Sequence, residues 1–361
     1  MSELENARKI INEVDKQMAE LFEKRMYASE LVAKYKREHG LSILDEAREK
    51  EVVAKNSSLV ENAIYQEYYA EFIKEVMRIS RSYQSRLNEG MRVAYSGVMG
   101  AYAYIAAKKM YPSATLVPYG DFEEAYKSVE NGECDVCVLP IENSYAGDVS
   151  TVMDLMFSGT LYVNQLLNLP ITHCLMVNEG VELTDIKTVI SHPQALAQCA
   201  GYIKEMGFET RAYENTALSA EYVKKNKLTD TAAIASFETA EIFGLNVIAS
   251  GINASRTNTT RFAAFSRARN AIDAKATDQS FILMFTVKNE AGALAKTIDI
   301  IGAYGFNMRN LHSRPMKELL WSYYFYVEAE GDINNQNGQD MLRALGATCD
   351  KLKLVGTYKQ Q

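Results

Sequence analysis

At 361 residues, with 47% hydrophobic and 24% charged residues, the chain has ordinary globular composition and is too long for one core, so two or three domains are expected. A formal net charge of -7 argues against nucleic acid as the main partner. The polar start MSELENARK does not read as a signal peptide, no stretch approaches a membrane span, and five cysteines fit a reducing compartment, so a cytoplasmic protein is expected.

Residues 4–88 read as nearly pure helix. Leu4, Ile11, Val14, Met18, Leu21, Leu31, Val32 and Tyr35 keep a helical period until His39-Gly40 breaks it. Ser42, with Asp45 following, is expected to start a second helix as a capping box, and a third is expected over about Asn62–Arg86. Arg25 and Lys36 lie eleven residues apart, close to three turns, on the same face as Val14, Met18, Leu21 and Val32. Cations on such an inward face are costly unless something anionic meets them, either internal carboxylates or an anionic small molecule. Arg8 precedes Arg25 by 17 residues, about 25 Å along one helix, so one helix cannot bring both arginines to one ligand, whereas an antiparallel helix from a second subunit can. Asp45, Arg48 and Glu49 share a face of the second helix, and Ser80 and Gln84 share one on the third. Three helices also bury too little surface alone, which favours a dimer. A surface laced with salt bridges remains the plain alternative.

From Met91 short β runs alternate with helices, an α/β pattern reaching to about residue 270. RVAYSG, DVCVLPI, HCLMV, TVISH and TAAIAS read as strands, and AYAYIAAKKMY as a helix stopped by Pro112. GVMGAY reads as a tight strand-to-helix turn that lacks the third glycine of a dinucleotide fingerprint. Cys134 and Cys137 form C-x-x-C within a strand, with no second pair to complete a zinc site, and read as packing residues. SHP reads as a helix start, with Ser191 as cap, Pro193 in the first turn, and Ser191 and Gln198 on one helix face. After the polar break ATDQS, the last 80 residues read β-α-β-β-α-β, the ferredoxin-like order.

The set Arg8, Arg25, Lys36, Asp45, Arg48, Glu49, Ser80 and Gln84 at these spacings resembles the all-helical chorismate mutases. That resemblance implies an intertwined dimer of three-helix chains whose sites each borrow an arginine from the other chain. It implies that Arg25 and the other chain's Arg8 clamp carboxylates with help from Arg48 and Ser80. Lys36 and Gln84 then serve the breaking ether oxygen, and Glu49 and Asp45 the ring hydroxyl. The reaction is pericyclic, so positioning and stabilisation of growing negative charge are all it needs.

GVMGAY, PIENSYAG (140–147), SHPQALAQC (191–199), ENTA (214–217) and TTRF (259–262) together resemble prephenate dehydratases over nearly all of residues 91–267. This implies a two-lobed α/β domain of the periplasmic-binding-protein kind and a reaction that needs no metal or cofactor. Thr260 is then the donor to the departing hydroxyl, with Asn143, Ser191, Gln198, Arg261 and Phe262 in the site. Arg261 and Phe262 also have plain readings as a salt-bridged arginine and a core aromatic. His192 is either a general base or a structural residue of the helix start, and Ala103 stands where the family has a hydroxyl residue.

AGALAKTIDIIGAYGFNMRNLHSRP resembles the ACT domain of the same dehydratases. It implies a phenylalanine site formed between paired domains from Gly292, Ala293, Leu294, Asn307, His312, Ser313 and Arg314, with His312 where the family has glutamate. A dimerisation domain that senses nothing is the alternative. The expected domains are 1–90 (mutase), 91–270 (dehydratase) and 278–361 (ACT), in a homodimer or homotetramer acting on chorismate and prephenate, with phenylalanine as effector. Arogenate as second substrate, or a non-catalytic ligand-binding α/β region, are the competing readings.

Overall fold

The computed structural model describes residues 2–255, 257–270, 278–316 and 322–359. The chain forms two compact units, one made essentially of residues 1–92 and the other of the remainder. The break expected at ATDQS lies partly outside the described residues.

The first unit is three helices: α1 (Glu3–Glu38), α2 (Glu46–Ser57) and α3 (Ala63–Glu89). Ser2 caps α1 in a capping box with Glu5, and His39 ends it before Gly40, as the sequence indicates. The expected Ser42 cap is not used. Asp45 occupies the cap position itself, its carboxylate accepting from the Arg48 amide at 3.0 Å. The shift is natural, because a carboxylate also favours the positive end of the helix. Helix α3 buries Ile73, Val76, Met77, Ser80 and Gln84, a regular stripe. By contrast every residue of α1 from 3 to 24 is exposed, including Ile10, Ile11, Val14, Met18, Leu21 and Phe22. The apolar face read as inward is therefore uncovered within one chain.

The second unit begins with a lobe built on β1 (Arg92–Ser96), α4 (Tyr102–Met110), β2 (Thr115–Tyr119), α5 (Phe122–Glu130), β3 (Val136–Asn143), β4 (Gly147–Asp148), α6 (Ser150–Ser158) and β5 (Tyr162–Pro170). The chain then crosses to a second lobe of β6 (Cys174–Val177), β7 (Thr188–Ser191), α7 (Pro193–Gln198), α8 (Ala200–Met206), β8 (Glu209–Ala212), α9 (Thr216–Lys225), β9 (Thr231–Ala235), α10 (Phe237–Phe243) and β10 (Asn246–Ser250). It returns as β11 (Thr259–Ser266), which runs antiparallel between β3 and β5 in the first lobe. In the second lobe, Leu175 and Met176, Val189 and Ile190, and Ala233 and Ile234 enter cores on opposite faces of the sheet. Strands covered on both faces explain why this region reads as short continuous apolar runs. Strands β2, β4, β5, β8, β10 and β11 were not expected from the sequence.

The final stretch has the expected β-α-β-β-α-β order: β12 (Gln279–Thr286), α11 (Ala293–Ala303), β13 (Asn307–Pro315), β14 (Tyr323–Glu330), α12 (Gln336–Gly346) and β15 (Lys351–Lys359). Its antiparallel sheet, ordered β13-β14-β12-β15, continues the first-lobe sheet through β5. Strand β15 meets β5 in parallel at Gly356 and Val163. A Cβ at Gly356 would run into the Val163 carbonyl, so only glycine permits that approach. Phe281, Leu283, Phe285, Val327 and Ala329 pack with residues such as Met341 and Leu345 of α12, leaving Tyr326 and Glu328 on the other face of β14.

Candidate active sites

In the helical unit, Arg25 donates from Nη1 to the Ser80 hydroxyl and, at 3.3 Å, to the Val76 carbonyl. Ser80, buried in α3, donates in turn to the same carbonyl at 2.9 Å. Lys36 Nζ donates to the Ile43 carbonyl at 2.6 Å. Among the described residues no carboxylate pairs with either cation, which removes the internal salt-bridge reading for both. Burial pushes the Arg25 guanidinium below its ordinary value, as expected for a cation that no carboxylate compensates. Gln84, one turn beyond Ser80, is 8% exposed, and among the described residues its Oε1 has no hydrogen-bond partner. A buried acceptor left open is costly, so this face is prepared for something polar to complete it.

Other members of the helical set are engaged locally. Glu49 pairs with Arg81 of α3, a partner the sequence reading missed because Arg81 follows Ser80 and shares no helical face with it. Arg48 pairs with Glu51 at 2.7 Å on an exposed surface, and Asp45 serves as the α2 cap. Arg8 lies on the uncovered part of α1.

A second site lies between the lobes of the α/β unit, in a cleft of about 380 Å³. The first lobe contributes Tyr102, Phe122, Asn143 and Thr260, and the second contributes His173, His192, Gln198, Asn215 and Thr216. The tight turn at GVMGAY sets Tyr102 at the rim. Gly100 has φ +88 and sits so close to Phe243, Thr239 and Ala217 that a side chain there would crowd them. Ala103 is buried in α4.

Asn143 is held on all sides. Its Oδ1 accepts the Tyr145 and Ala146 amides at 3.0 and 2.9 Å, which fixes its Nδ2 as a donor. That nitrogen donates to Asn258 Oδ1 and to Thr260 Oγ1, both at 2.9 Å. The Thr260 oxygen thus accepts, and among the described residues nothing accepts its proton, which is left for a molecule in the cleft.

These two arrangements have counterparts among known proteins. A family model for prephenate dehydratase matches residues 93–270, and one for chorismate mutase type II matches residues 7–85. Arogenate dehydratase 2 of Petunia hybrida is 36% identical over 284 residues, covering 74% of this chain and 71% of that protein. The chain belongs to the prephenate dehydratase family. A bifunctional chorismate mutase/prephenate dehydratase of Buchnera aphidicola is 29% identical over 379 residues, covering 100% of this chain and 97% of that one. Among solved structures, a prephenate dehydratase from Arthrobacter aurescens in complex with L-Phe gives a TM-score of 0.68 at 27% identity, covering 75% of this chain and 90% of that chain. Another, described as GqqA, a novel type of quorum quenching acylase, gives 0.69 at 28% identity, covering 75% and 98%. The two domains on one polypeptide carry chorismate mutase and prephenate dehydratase activities and belong to phenylalanine biosynthesis.

Three of the residues assigned to the dehydratase site stand elsewhere. Ser191 ends β7 rather than capping a helix, and its wholly buried hydroxyl donates to the Ile234 carbonyl at 2.6 Å. His192 is the cap of α7, its Nδ1 accepting from the Gln194 amide at 3.2 Å. Helix α7 starts only at Pro193, so Ser191 and Gln198 share no helix face. Phe262 is 2% exposed in β11, a core aromatic. Arg261 leaves the face of β11 opposite Thr260 and forms a two-bond pair with Glu328 of β14, at 2.7 and 2.6 Å. The Tyr326 and Tyr358 hydroxyls also donate to Glu328.

On β13, alternation places His312 and Arg314 on one face, and both approach Asp148 of β4, at 2.9 and 3.8 Å. The structure therefore turns these two assigned effector residues toward the first lobe, while Ser313 between them is exposed. Asn307 donates to Glu330 at 2.8 Å. Gly292 is the cap of α11, followed by Ala293, and Leu294 lines a cavity of about 520 Å³ with Tyr323 and Phe325. Glu142, Asp148 and His312 bring possible ligand atoms within 4.8 Å of one another. With Arg261 4.0 Å from Glu142 and Arg314 beside Asp148, the positive charge is already supplied, and the group is an ion-pair network.

Removing one partner of the Arg261–Glu328 pair strands a charge in a largely buried place. Glu328→Leu is expected to cost about 3 kcal/mol, and the double change Arg261→Leu/Glu328→Leu less than that. Urea unfolding of Glu328→Leu, Arg261→Leu and the double variant measures the difference; additive losses would show that the pair is not coupled.

Proposed function

We propose that the chain converts chorismate to prephenate at a helical site completed by a second copy, and prephenate to phenylpyruvate in the cleft, under feedback by phenylalanine. In the first reaction Arg25, already steadied by Ser80, binds a carboxylate. Lys36 and Gln84 serve the ether oxygen, where charge grows in the transition state. A neutral glutamine amide can turn its NH2 toward that oxygen, which suits a side chain whose carbonyl has no fixed partner here.

The second copy is supported by the uncovered apolar length of α1. Seven large side chains between Leu4 and Phe22 are exposed in one chain, and covering what each still exposes is worth about 1 kcal/mol. An antiparallel α1 from that partner would carry its Arg8 toward Arg25. Mixing inactive Arg8→Ala chains with inactive Lys36→Ala chains should restore mutase activity, since half of the sites in a heterodimer are intact. Verified heterodimers without activity would end the shared-site reading.

In the cleft the observation that carries the reading is the Thr260 hydroxyl, which accepts from Asn143 and so offers its proton outward. As the ring carboxylate leaves as CO2, its bonding electrons aromatise the ring and expel the hydroxyl, which takes a proton and departs as water. Thr260 is placed to give that proton, with Asn143 Nδ2–H steadying the oxygen left behind. Thr260→Ala should lower phenylpyruvate formation by about 100-fold or more, while chorismate consumption by the same sample is unchanged. Full dehydratase activity in that variant would remove the assignment.

Feedback by phenylalanine is supported by the L-Phe complex of the Arthrobacter relative and by the β-α-β-β-α-β order of residues 279–359, which fits an ACT domain. Its path to the catalytic strand runs through Arg261–Glu328 and His312–Asp148. Phenylalanine up to about millimolar concentration, −4.1 kcal/mol of binding, should inhibit the dehydratase rate; an unchanged rate there would count against the sensor.

A further inference from the structure

His173 stands where the chain enters the second lobe, and neither reaction as assigned uses it. The residue is only 2% exposed, yet it lines the cleft. Its backbone amide donates to Asn253 Oδ1 at 3.1 Å, which fixes the start of β6. Its ring Nε2 lies 2.7 Å from Gln198 Oε1. An amide oxygen can only accept, so Nε2 carries the ring proton.

On the other side the Tyr102 hydroxyl lies 3.3 Å from Nδ1 and 3.1 Å from the Thr172 carbonyl, with the two rings in an edge-on contact. Burial lowers the His173 value and raises that of Tyr102, so the imidazole stays neutral and the phenol keeps its proton. No carboxylate among the described residues touches the ring to reverse this.

A carboxamide gripped by its oxygen must send its NH2 the other way. The opposite amide orientation would require the ring proton on Nδ1, leaving it to the Tyr102 oxygen at the longer distance of 3.3 Å. We propose that His173 is a positioning residue of the dehydratase site, its Nε2–H locking the Gln198 amide so that the NH2 is offered to the carboxylate that the bound substrate keeps. The inference rests on the dehydratase reading of the cleft and adds to it the polarity of one anchor.

The test uses purified full-length protein and prephenate. His173→Phe keeps the ring and its edge-on packing while deleting the donor; His173→Gln restores a donor near the Nε2 position. His173→Phe should raise KM for prephenate about tenfold or more, the worth of an oriented hydrogen bond to a charged group. Its kcat should stay within about threefold, because the interaction is made with ground state and transition state alike. His173→Gln should recover most of the loss, and in a Gln198→Leu background His173→Phe should add little. If His173→Phe does not fold, His173→Asn, too short to reach Gln198, carries the same expectation. An unchanged KM, or the same loss in the Gln198→Leu background, would overturn the proposal. Wild-type protein that leaves prephenate untouched would instead bring down the dehydratase reading and the inference with it.

Discussion

The alternation of side chains along β11 is the constraint on which the α/β unit depends. Successive residues of a strand leave on opposite faces, so Thr260 enters the cleft while its neighbour Arg261 reaches Glu328 in the C-terminal sheet. One backbone segment is thus tied to the cleft on one side and to the C-terminal domain on the other. Because β11 also bonds β3 and β5 along its length, it cannot shift alone. The link between the C-terminal sheet and the Thr260 strand is thus packed, hydrogen-bonded structure rather than a loop.

The same economy governs the cleft walls. Asn143 is oriented by two backbone amides before it meets Thr260, and Gln198 is oriented by a histidine. Each amide could be mounted either way round, and in each case a fixed partner on its oxygen decides that the nitrogen is the end presented. Polarity of the site is set one layer behind the groups that touch a substrate.

The helical unit solves a different problem. Arg25 and Lys36 are held by a hydroxyl and backbone carbonyls, which orient them without cancelling their charge. Carboxylates nearby are spent elsewhere, Glu49 on Arg81 and Asp45 on a helix end. A cation kept in place but not neutralised is what a dianionic ligand needs, and the apolar length of α1 is exposed in one chain, as the proposed second copy requires.

Much of this was legible in the sequence. Periodicity gave the three helices, and short apolar runs gave the doubly covered strands of the second lobe. The ordered motifs pointed to both reactions, since the residue types report the charges and protons the chemistry must handle. Spacing could not say which charges were already paired, because Arg81 of α3 takes Glu49 of α2 across helices. It misplaced Ser191 by reading a strand end as a helix cap, and it put Arg261 in the site because motif membership does not reveal which face of a strand a residue leaves. His173 passed as the first residue of a buried strand. The sequence by itself determined the elements and the chemical vocabulary of the two sites, since both are written in local period and residue type. Only the tertiary structure decided which side chains face one another, because donor–acceptor pairing and strand facing depend on contacts between residues far apart in the chain.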